Sequence, residues 1–235
     1  MKPKPCHCKE PVYKTELIVA LDVSTFQEAK KLVDGLIRYV KFFKVGSQLF
    51  TASGPEVIKY IQKKNGRVFL DLKFHDIPNT VREAVLSAAH LKVFMLTVHA
   101  QGGREMLEAA SSAVRGLRDR PLIVAVTVLT SQSRRDTGAS VLSLARVALS
   151  CGVDGVVSSA LECLRLRKAL GEACVIVTPG IRPQGGARGD QKRVAAPRAA
   201  RDAGSNYVVV GRPIVQAEDP CGAVKDILRE LRGEI

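Results

Sequence analysis

The sequence predicts a single α/β domain folded as a (β/α)8 TIM barrel, and three observations support this fold class. Eight short apolar runs, rich in β-branched residues, are apolar on both faces, which is typical of parallel strands buried between two layers. Amphipathic stretches alternate with these runs, and no linker rich in Pro, Gly or Ser divides the series. The chain of 235 residues has the length of one such barrel. A doubly wound open sheet is the alternative fold, because a sequence does not reveal the order of its strands.

The predicted strands follow one another from residue 17 onward. They occupy residues 17–21, 42–45, 68–72, 93–98, 122–128, 153–157, 175–177 and 207–210. After the first strand, apolar residues recur at steps of three and four from Phe26 to Val40, which predicts an amphipathic helix. Ser24 and Gln27 have the spacing of a capping box at the start of this helix. We expect the barrel to span residues 17–235, preceded by a flexible N-terminal tail of residues 1–16.

Composition predicts a cytoplasmic globular protein. Apolar residues make up 46% of the chain and charged residues 25%, which suits a domain that buries a core. No apolar run approaches the length of about 18 residues that a membrane span needs, and the N-terminus lacks the apolar stretch of a signal peptide. The six cysteines are scattered, so we expect reduced core residues. Cys6, His7 and Cys8 could touch a metal, but no partner pair completes a zinc site, and none is predicted.

The net charge of +13 raises nucleic acid as a possible partner. The basic residues are spread along the chain, except in 182–201, where six Arg or Lys residues accompany one Asp. Aromatic residues are only 5% of the chain and are not interleaved with this segment, so a stacking platform for single strands is unsupported. The local basic cluster fits a small phosphorylated ligand equally well, and we expect no nucleic-acid partner.

The barrel fold predicts where an active site would lie, because sites of this fold sit at the carboxyl ends of the strands. Polar residues and glycines occur at or after the ends of several predicted strands: Asp22, Lys44, Asp71, Lys73, His99, Thr130, Gly180, Arg182, Gly211 and Arg212. The sequence therefore predicts that these residues collect at one rim of the barrel.

Two glycine-rich loops, after the seventh and eighth predicted strands, each carry an arginine. Gly211 lets backbone N–H groups approach an anion, and Arg212 can hold the anion with parallel hydrogen bonds. The other loop contributes Arg182 and Gln191, with Gln184 as the alternative to Gln191. Loops in these positions of a barrel often form a phosphate site. In the simpler interpretation, the glycines only allow tight turns.

The segment 71–80, DLKFHDIPNT, concentrates charged side chains directly after an apolar run. Strand alternation places Asp71 and Lys73 on the same side. With Lys44 and Asp76 they would form an alternating chain of charges, which favours the charged form of each member. Such a chain fixes an ammonium group where a substrate carbon could become negative, and Lys73 is then the natural proton donor. The simpler interpretation is a buried ion pair at a strand end.

Several segments of this sequence resemble the orotidine 5′-phosphate decarboxylase family, in its bacterial branch. They are IVALDV (18–23), FFKVG (42–46), DLKFHDIPNT (71–80), TVHAQGG (97–103), TVLTS (127–131), TPGIRP (178–183), GDQKRV (189–194) and VVGRPI (209–214). The motifs occur in order and extend from about residue 17 to 220. The resemblance implies a homodimeric (β/α)8 barrel that needs neither a metal nor a cofactor and makes uridine monophosphate for pyrimidine biosynthesis.

The resemblance also implies a role for each matching residue. Asp22 and Lys44 would hold the ribose hydroxyls, Asp71 would lie against the substrate carboxylate, and Lys73 would protonate carbon six of the pyrimidine. The remaining roles are assigned as follows: Asp76, with Ile77 and Thr80, to the partner subunit's site, Thr130 to the base, and Arg182, Gln191, Gly211 and Arg212 to the phosphate. For His75 and His99, supporting or packing roles are favoured over direct chemistry, because the Lys73 site does not need an imidazole.

Two other functions remain open at this point. Magnesium-dependent sugar-phosphate decarboxylases or aldolases of the same superfamily, such as gulonate-phosphate decarboxylases and hexulose-phosphate synthases, share the Asp-x-Lys-x-x-Asp pattern. Lys44, the IPNT continuation and the TPGIRP loop favour the orotidine enzyme. From a different class, a basic barrel could serve as a nucleic-acid binder, which would bind with a steep dependence on salt.

Overall fold

The computed structural model describes residues 14–128, 137–183 and 195–234. Within these ranges, eight parallel strands close into one barrel, and each strand pairs with its neighbours in sequence. Closure is completed by the first and last strands, where Leu17 lies opposite Val208. The predicted (β/α)8 barrel is thereby confirmed, and the open sheet is excluded. Cys6, His7 and Cys8 of the predicted tail lie outside the described residues.

The strands match the predicted apolar runs, with small shifts at their ends. They are β1 (Glu16–Ala20), β2 (Phe42–Gly46), β3 (Arg67–Phe74), β4 (Met95–His99), β5 (Leu122–Val126), β6 (Gly155–Val157), β7 (Val175–Thr178) and β8 (Tyr207–Val210). Most of their residues are buried, because side chains on one face fill the barrel and those on the other face pack under the helices.

Helices cover the outside of the barrel. In the described ranges they are α1 (Phe26–Leu36), α2 (Ser47–Ser53), α3 (Glu56–Lys63), α4 (Pro78–His90), α5 (Gly103–Val114), α6 (Thr137–Ser150), α7 (Ala160–Leu170), α8 (Pro197–Asp202), α9 (Arg212–Val215) and α10 (Pro220–Arg232). Among these described helices, none is long and apolar enough to cross a membrane.

The start of α1 differs from the prediction by one residue. Thr25, and not Ser24, is the N-cap: its hydroxyl accepts from the Glu28 backbone N–H, and the Glu28 carboxylate accepts from the Thr25 N–H. Both pairs have the spacing of a capping box. The observed pair uses a carboxylate, which makes a charge-assisted hydrogen bond and interacts favourably with the positive end of the helix dipole. The predicted box with Gln27 is therefore wrong.

One apolar layer fills the inside of the barrel and forms the floor of a cavity at the carboxyl ends of the strands. Its members are Ile18, Ala20, Phe69, Met95, Val124, Val177 and Val209. A larger apolar cluster lies between the strands and the helices. Lys44 stands in register with both Ala20 and Phe69, so charged side chains begin at the upper edge of this layer.

The cysteines of the described residues behave as core residues where they are buried. Cys151, Cys163 and Cys174 are buried, and Cys221 is partly exposed. Burial raises the pKa of the Cys163 thiol to about 11. A thiol with so high a pKa is a poor nucleophile at neutral pH, which agrees with the predicted structural role.

Candidate active site

A cavity of about 260 Å³ opens at the carboxyl ends of the strands. Apolar side chains of several strands form its floor: Ala20, Phe69, Val126, Val157, Val177 and Val209. Charged residues and glycines from strand ends and the following loops form its walls: Asp22, Lys44, Asp71, Lys73, Gly180, Arg182, Gly211 and Arg212. Eight of the ten residues predicted for the rim therefore line one cavity, although they are far apart in the sequence; His99 is not part of the lining, and Thr130 lies outside the described residues.

Four charged groups of alternating sign form a chain across the first strands. Lys44 Nζ lies 2.9 Å from Asp22 Oδ1 and 3.6 Å from Asp71 Oδ2. Lys73 Nζ lies 2.9 Å from the same Asp71 oxygen. The side chains of Lys44 and Asp71 are only 12% and 13% exposed, whereas Lys73 and Asp22 are more open to solvent. Both ammonium groups line the cavity, and that of Lys73 is the more exposed of the two.

The backbone at Lys73 departs from a regular strand. Lys73 has a φ of 53°, in the left-handed region that non-glycine residues rarely adopt. The register of β3 against β4 shifts between Leu70 and Phe74, as in a β-bulge. Asp71 and Lys73 do lie side by side as strand alternation predicted, but an irregular backbone holds them there.

Buried Thr97 of β4 touches both of these residues. Its hydroxyl oxygen accepts a hydrogen bond from the Lys73 backbone N–H at 2.8 Å, and its proton is donated to Asp71 Oδ1 at 3.1 Å. Sequence reasoning missed Thr97, although it lies between Met95 and His99 on the face of β4 that points into the barrel. A polar residue at such a position is the signal that could have identified it.

Asp76 does not join this chain of charges. Among the described residues, its Oδ1 atom accepts from the backbone N–H of Ile77 at 2.7 Å, and it forms no ion pair. Asp76 lies beyond the end of β3, and its exposed side chain turns toward the start of α4. Within one subunit the predicted network of Lys44, Asp71, Lys73 and Asp76 is therefore incomplete, and Asp22 takes the fourth place.

Ile77 and Thr80 lie beside Asp76 at the mouth of the barrel. Ile77 precedes Pro78 at the start of α4, and its side chain is 66% exposed. Thr80, in the first turn of the same helix, is also exposed. The lining of the cavity in the same subunit includes none of these three side chains.

The other side of the cavity carries two arginines. Arg182 is buried, and its Nη1 donates to the Ile181 carbonyl oxygen at 3.3 Å. Burial lowers the pKa of Arg182, and the charge of Arg212 lowers it further. Two guanidinium groups in a half-enclosed space repel one another, so an anion between them would be strongly favoured.

Gly211 leaves the room that this part of the site needs. A Cβ atom at Gly211 would lie 3.1 Å from Asp22 Oδ2 and 3.4 Å from Ala20 Cβ. These contacts are tighter than ordinary packing, so a larger residue would press on the Asp22 carboxylate. Of the other predicted site residues, Thr130, Gln191 and its alternative Gln184 lie outside the described residues.

His75 and His99 form a pair behind Lys73. Their ring centroids are 5.2 Å apart at an angle of 36°. Burial lowers the pKa of His99, and so do the neighbouring His75 and Lys73, against a smaller opposite effect of Asp71. Within the described part of the chain, His99 Nδ1 is buried and has no hydrogen-bond partner. Both features fit the packing role expected for His99.

The fold and the cavity together define a class of protein: a (β/α)8 barrel with a lysine–aspartate chain and two arginines at the carboxyl ends of its strands, suited to an anionic, phosphorylated ligand. Comparison with known proteins gives the family. The sequence model of the "Orotidine 5′-phosphate decarboxylase / HUMPS family" matches residues 15–227. The chain belongs to this family.

Individual relatives agree with the family. An orotidine 5′-phosphate decarboxylase of Moorella thermoacetica is 47% identical over 233 residues, which covers 93% of this chain and 92% of the relative. That of Alcanivorax borkumensis is 48% identical and covers 92% of this chain and 97% of the relative. The crystal structure of the Lactobacillus acidophilus enzyme is similar, with a TM-score of 0.80, 38% identity, and coverage of 92% of this chain and 98% of that one.

Proposed function

We propose that this chain is a carboxy-lyase that converts orotidine 5′-monophosphate to uridine 5′-monophosphate in pyrimidine biosynthesis. The observation that carries the proposal is the Lys73 ammonium group, held 2.9 Å from Asp71 in the cavity that also contains Arg182 and Arg212. This arrangement offers a proton donor and an anion site at one barrel mouth. Family membership and the names of the curated relatives support the same reaction.

The chemistry requires a fixed positive charge. When the bond between carbon six and the carboxylate breaks, carbon dioxide leaves and the electron pair stays on carbon six, in the plane of the ring. The π system cannot delocalise this pair, so a preorganised ammonium group beside it lowers the barrier. Lys73 then transfers one proton to carbon six, and the product is the uracil ring.

The rest of the site binds the substrate. Asp71 would lie beside the reacting carboxylate, and Asp22 and Lys44 would hold the ribose hydroxyls. The remaining contacts are proposed as follows: Thr130 to the base, and Arg182, Gln191, Gly211 and Arg212 to the phosphate. The phosphate is remote from the bond that breaks, so its binding energy can be used to hold the ring in a reactive position. The proposed reaction needs neither a metal nor a cofactor.

We expect the protein to work in the cytoplasm as a homodimer with shared sites, with neither nucleic acid nor membrane as a partner. The family resemblance supports the dimer, and it agrees with the exposure of Asp76, Ile77 and Thr80 and with their absence from the cavity lining of their own subunit. Asp76, Ile77 and Thr80 of each subunit would then complete the cavity of the other.

The first test is the fall in ultraviolet absorbance when the purified protein meets orotidine 5′-monophosphate in the presence of EDTA. We expect rapid loss of signal with the wild type and none with Lys73→Ala, because that variant lacks the proton donor. Lys59→Ala, which removes an exposed lysine of α3 that is not part of the cavity lining, is the matched control and should behave as wild type. No loss with a folded wild-type protein would contradict the proposal and redirect the search to magnesium-dependent sugar phosphates.

A further inference from the structure

We propose that Thr97 is a positioning residue, which sets the places of the Asp71 carboxylate and the Lys73 backbone through one hydroxyl group. Thr97 is fully buried, with 0% of its surface exposed. A hydroxyl group has one proton and two acceptor lone pairs. Here the proton goes to Asp71 Oδ1, and a lone pair accepts from the Lys73 N–H, so one rotamer satisfies both neighbours.

The hydroxyl replaces a missing strand contact. Leu70 pairs with Leu96 and Phe74 with Val98, so residues 71–73 of β3 stand opposite the single residue Thr97. The regular backbone hydrogen bonds between β3 and β4 cannot satisfy all three residues. The Thr97 hydroxyl accepts the hydrogen bond from the Lys73 N–H instead. A left-handed conformation is unfavourable for a non-glycine residue and persists only where its surroundings hold it. The Thr97 hydrogen bond is one such restraint.

The carboxylate of Asp71 depends on Thr97 in a different way. Its Oδ2 atom accepts from Lys73 and lies near Lys44, while its Oδ1 atom accepts from Thr97. The hydroxyl therefore fixes the rotation of the carboxylate about its own axis. Without the Thr97 hydroxyl, the Asp71 carboxylate can rotate. The Lys73 ammonium group, which is hydrogen-bonded to that carboxylate, would then shift within the cavity.

The inference rests on the proposed function, since positioning matters only if Lys73 and Asp71 act on the substrate. Misplacement of reacting groups by about 1 Å can cost about 100-fold in rate. The proposed phosphate contacts Arg182, Gly211 and Arg212 follow β7 and β8, and not β3 or β4. Loss of the Thr97 hydroxyl should therefore lower kcat, while KM and the affinity for the product uridine 5′-monophosphate change little.

The experiment compares Thr97→Ser with Thr97→Ala, which differ by one hydroxyl group, and adds the near-isosteric Thr97→Val. We expect Thr97→Ser to keep most of the activity, and Thr97→Ala and Thr97→Val to lose about 10- to 100-fold in kcat. Thr127→Val is the matched control: Thr127 is also buried, and its hydroxyl donates to the Val157 carbonyl oxygen at 3.0 Å, away from Asp71. It should keep wild-type kcat.

Amide hydrogen exchange at Lys73 provides a readout that does not depend on activity. The Lys73 N–H should exchange faster in Thr97→Ala than in Thr97→Ser or Thr127→Val, because only the first variant lacks its acceptor. Equal kcat in the Ser and Ala variants, or a loss confined to KM, would overturn the positioning role. If the wild type were inactive while its Lys73 N–H was protected from exchange, the proposed function would be overturned. The role of Thr97 in catalysis would then be overturned with it.

Discussion

At the scale of single residues, the Asp71 carboxylate connects the two lysines of the site with Thr97. Both lysines of the site approach its Oδ2 atom, and the Thr97 hydroxyl holds its Oδ1 atom. A largely buried carboxylate needs such partners, because an unpaired charge is costly to bury. Of the two lysines that Asp71 pairs with, Lys73 is the more exposed within the cavity.

His99 leads to a prediction about pH. Its pKa is lowered from the ordinary value of 6.5, first by burial and then by His75 and Lys73. As the pH falls below about 6.5, the His99 side chain binds a proton more readily in the unfolded chain than in the folded chain. Unfolding is then favoured by acid, so the free energy of unfolding decreases as the pH falls below about 6.5.

We expect His99→Gln to lose less stability than the wild type when the pH is lowered from about 7.5 to about 5.5. Urea unfolding at the two pH values measures the difference. His90→Gln, which changes an exposed histidine at the end of α4, is the control and should retain the wild-type dependence. An equal loss in wild type and His99→Gln would show that another group is responsible.

At the scale of elements, the cap of α1 shows how local hydrogen bonding sets a helix boundary. The sequence offers two overlapping capping boxes, and the one that contains a carboxylate forms. Ser24 instead accepts a hydrogen bond from Gln48 Nε2 at 3.1 Å. The first helix therefore begins at Phe26, soon after Asp22 at the barrel rim.

We predict that Thr25→Ala lowers the free energy of unfolding by about 1 kcal/mol, the usual cost of losing an N-cap side chain. Ser24→Ala should have a smaller effect, because its hydroxyl makes only an exposed hydrogen bond to a side chain. Chemical denaturation of both variants gives the comparison. A larger loss in Ser24→Ala would favour the box with Gln27.

The elements could be predicted well because their signals are local. Each strand is a short β-branched run, and each was found near its predicted position from the sequence alone. The β3 bulge could not be predicted, because it arises from the pairing of β3 with β4 and leaves no mark in the pattern of Leu70 to Phe74. The proximity of Asp71 and Lys73 was correctly inferred, whereas the left-handed backbone that produces it was not.

At the scale of the whole molecule, the site needs residues from many strands, and a closed barrel brings them together. Asp22 follows β1 and Arg212 follows β8, so they are far apart in sequence but line one cavity. The resemblance of short motifs located these residues, because each motif surrounds a strand end. The motif TVHAQGG begins with Thr97, but the resemblance assigned this residue no role, because its role depends on the register between two strands.

The single subunit leaves Asp76, Ile77 and Thr80 outside its own cavity, and this leads to a prediction about the dimer. If each site combines Lys73 of one subunit with Asp76 of the other, Lys73→Ala and Asp76→Ala should each be inactive alone. A hybrid dimer then has one site with both groups and one with neither. Random exchange makes about half of the dimers hybrid, so a mixture should recover roughly a quarter of wild-type activity.

The decisive control is a mixture of Lys73→Ala with Asp71→Ala. Both changes fall in the cavity of the same subunit, because Asp71 and Lys73 are joined by a 2.9 Å ion pair, so every hybrid site lacks one of the two. This mixture should stay inactive under conditions in which mass spectrometry of differently tagged subunits demonstrates exchange. Recovery only in the mixture of Lys73→Ala with Asp76→Ala would place Asp76 in the neighbouring site. No recovery in either mixture, with exchange demonstrated, would mean that each subunit acts independently of its partner's Asp76.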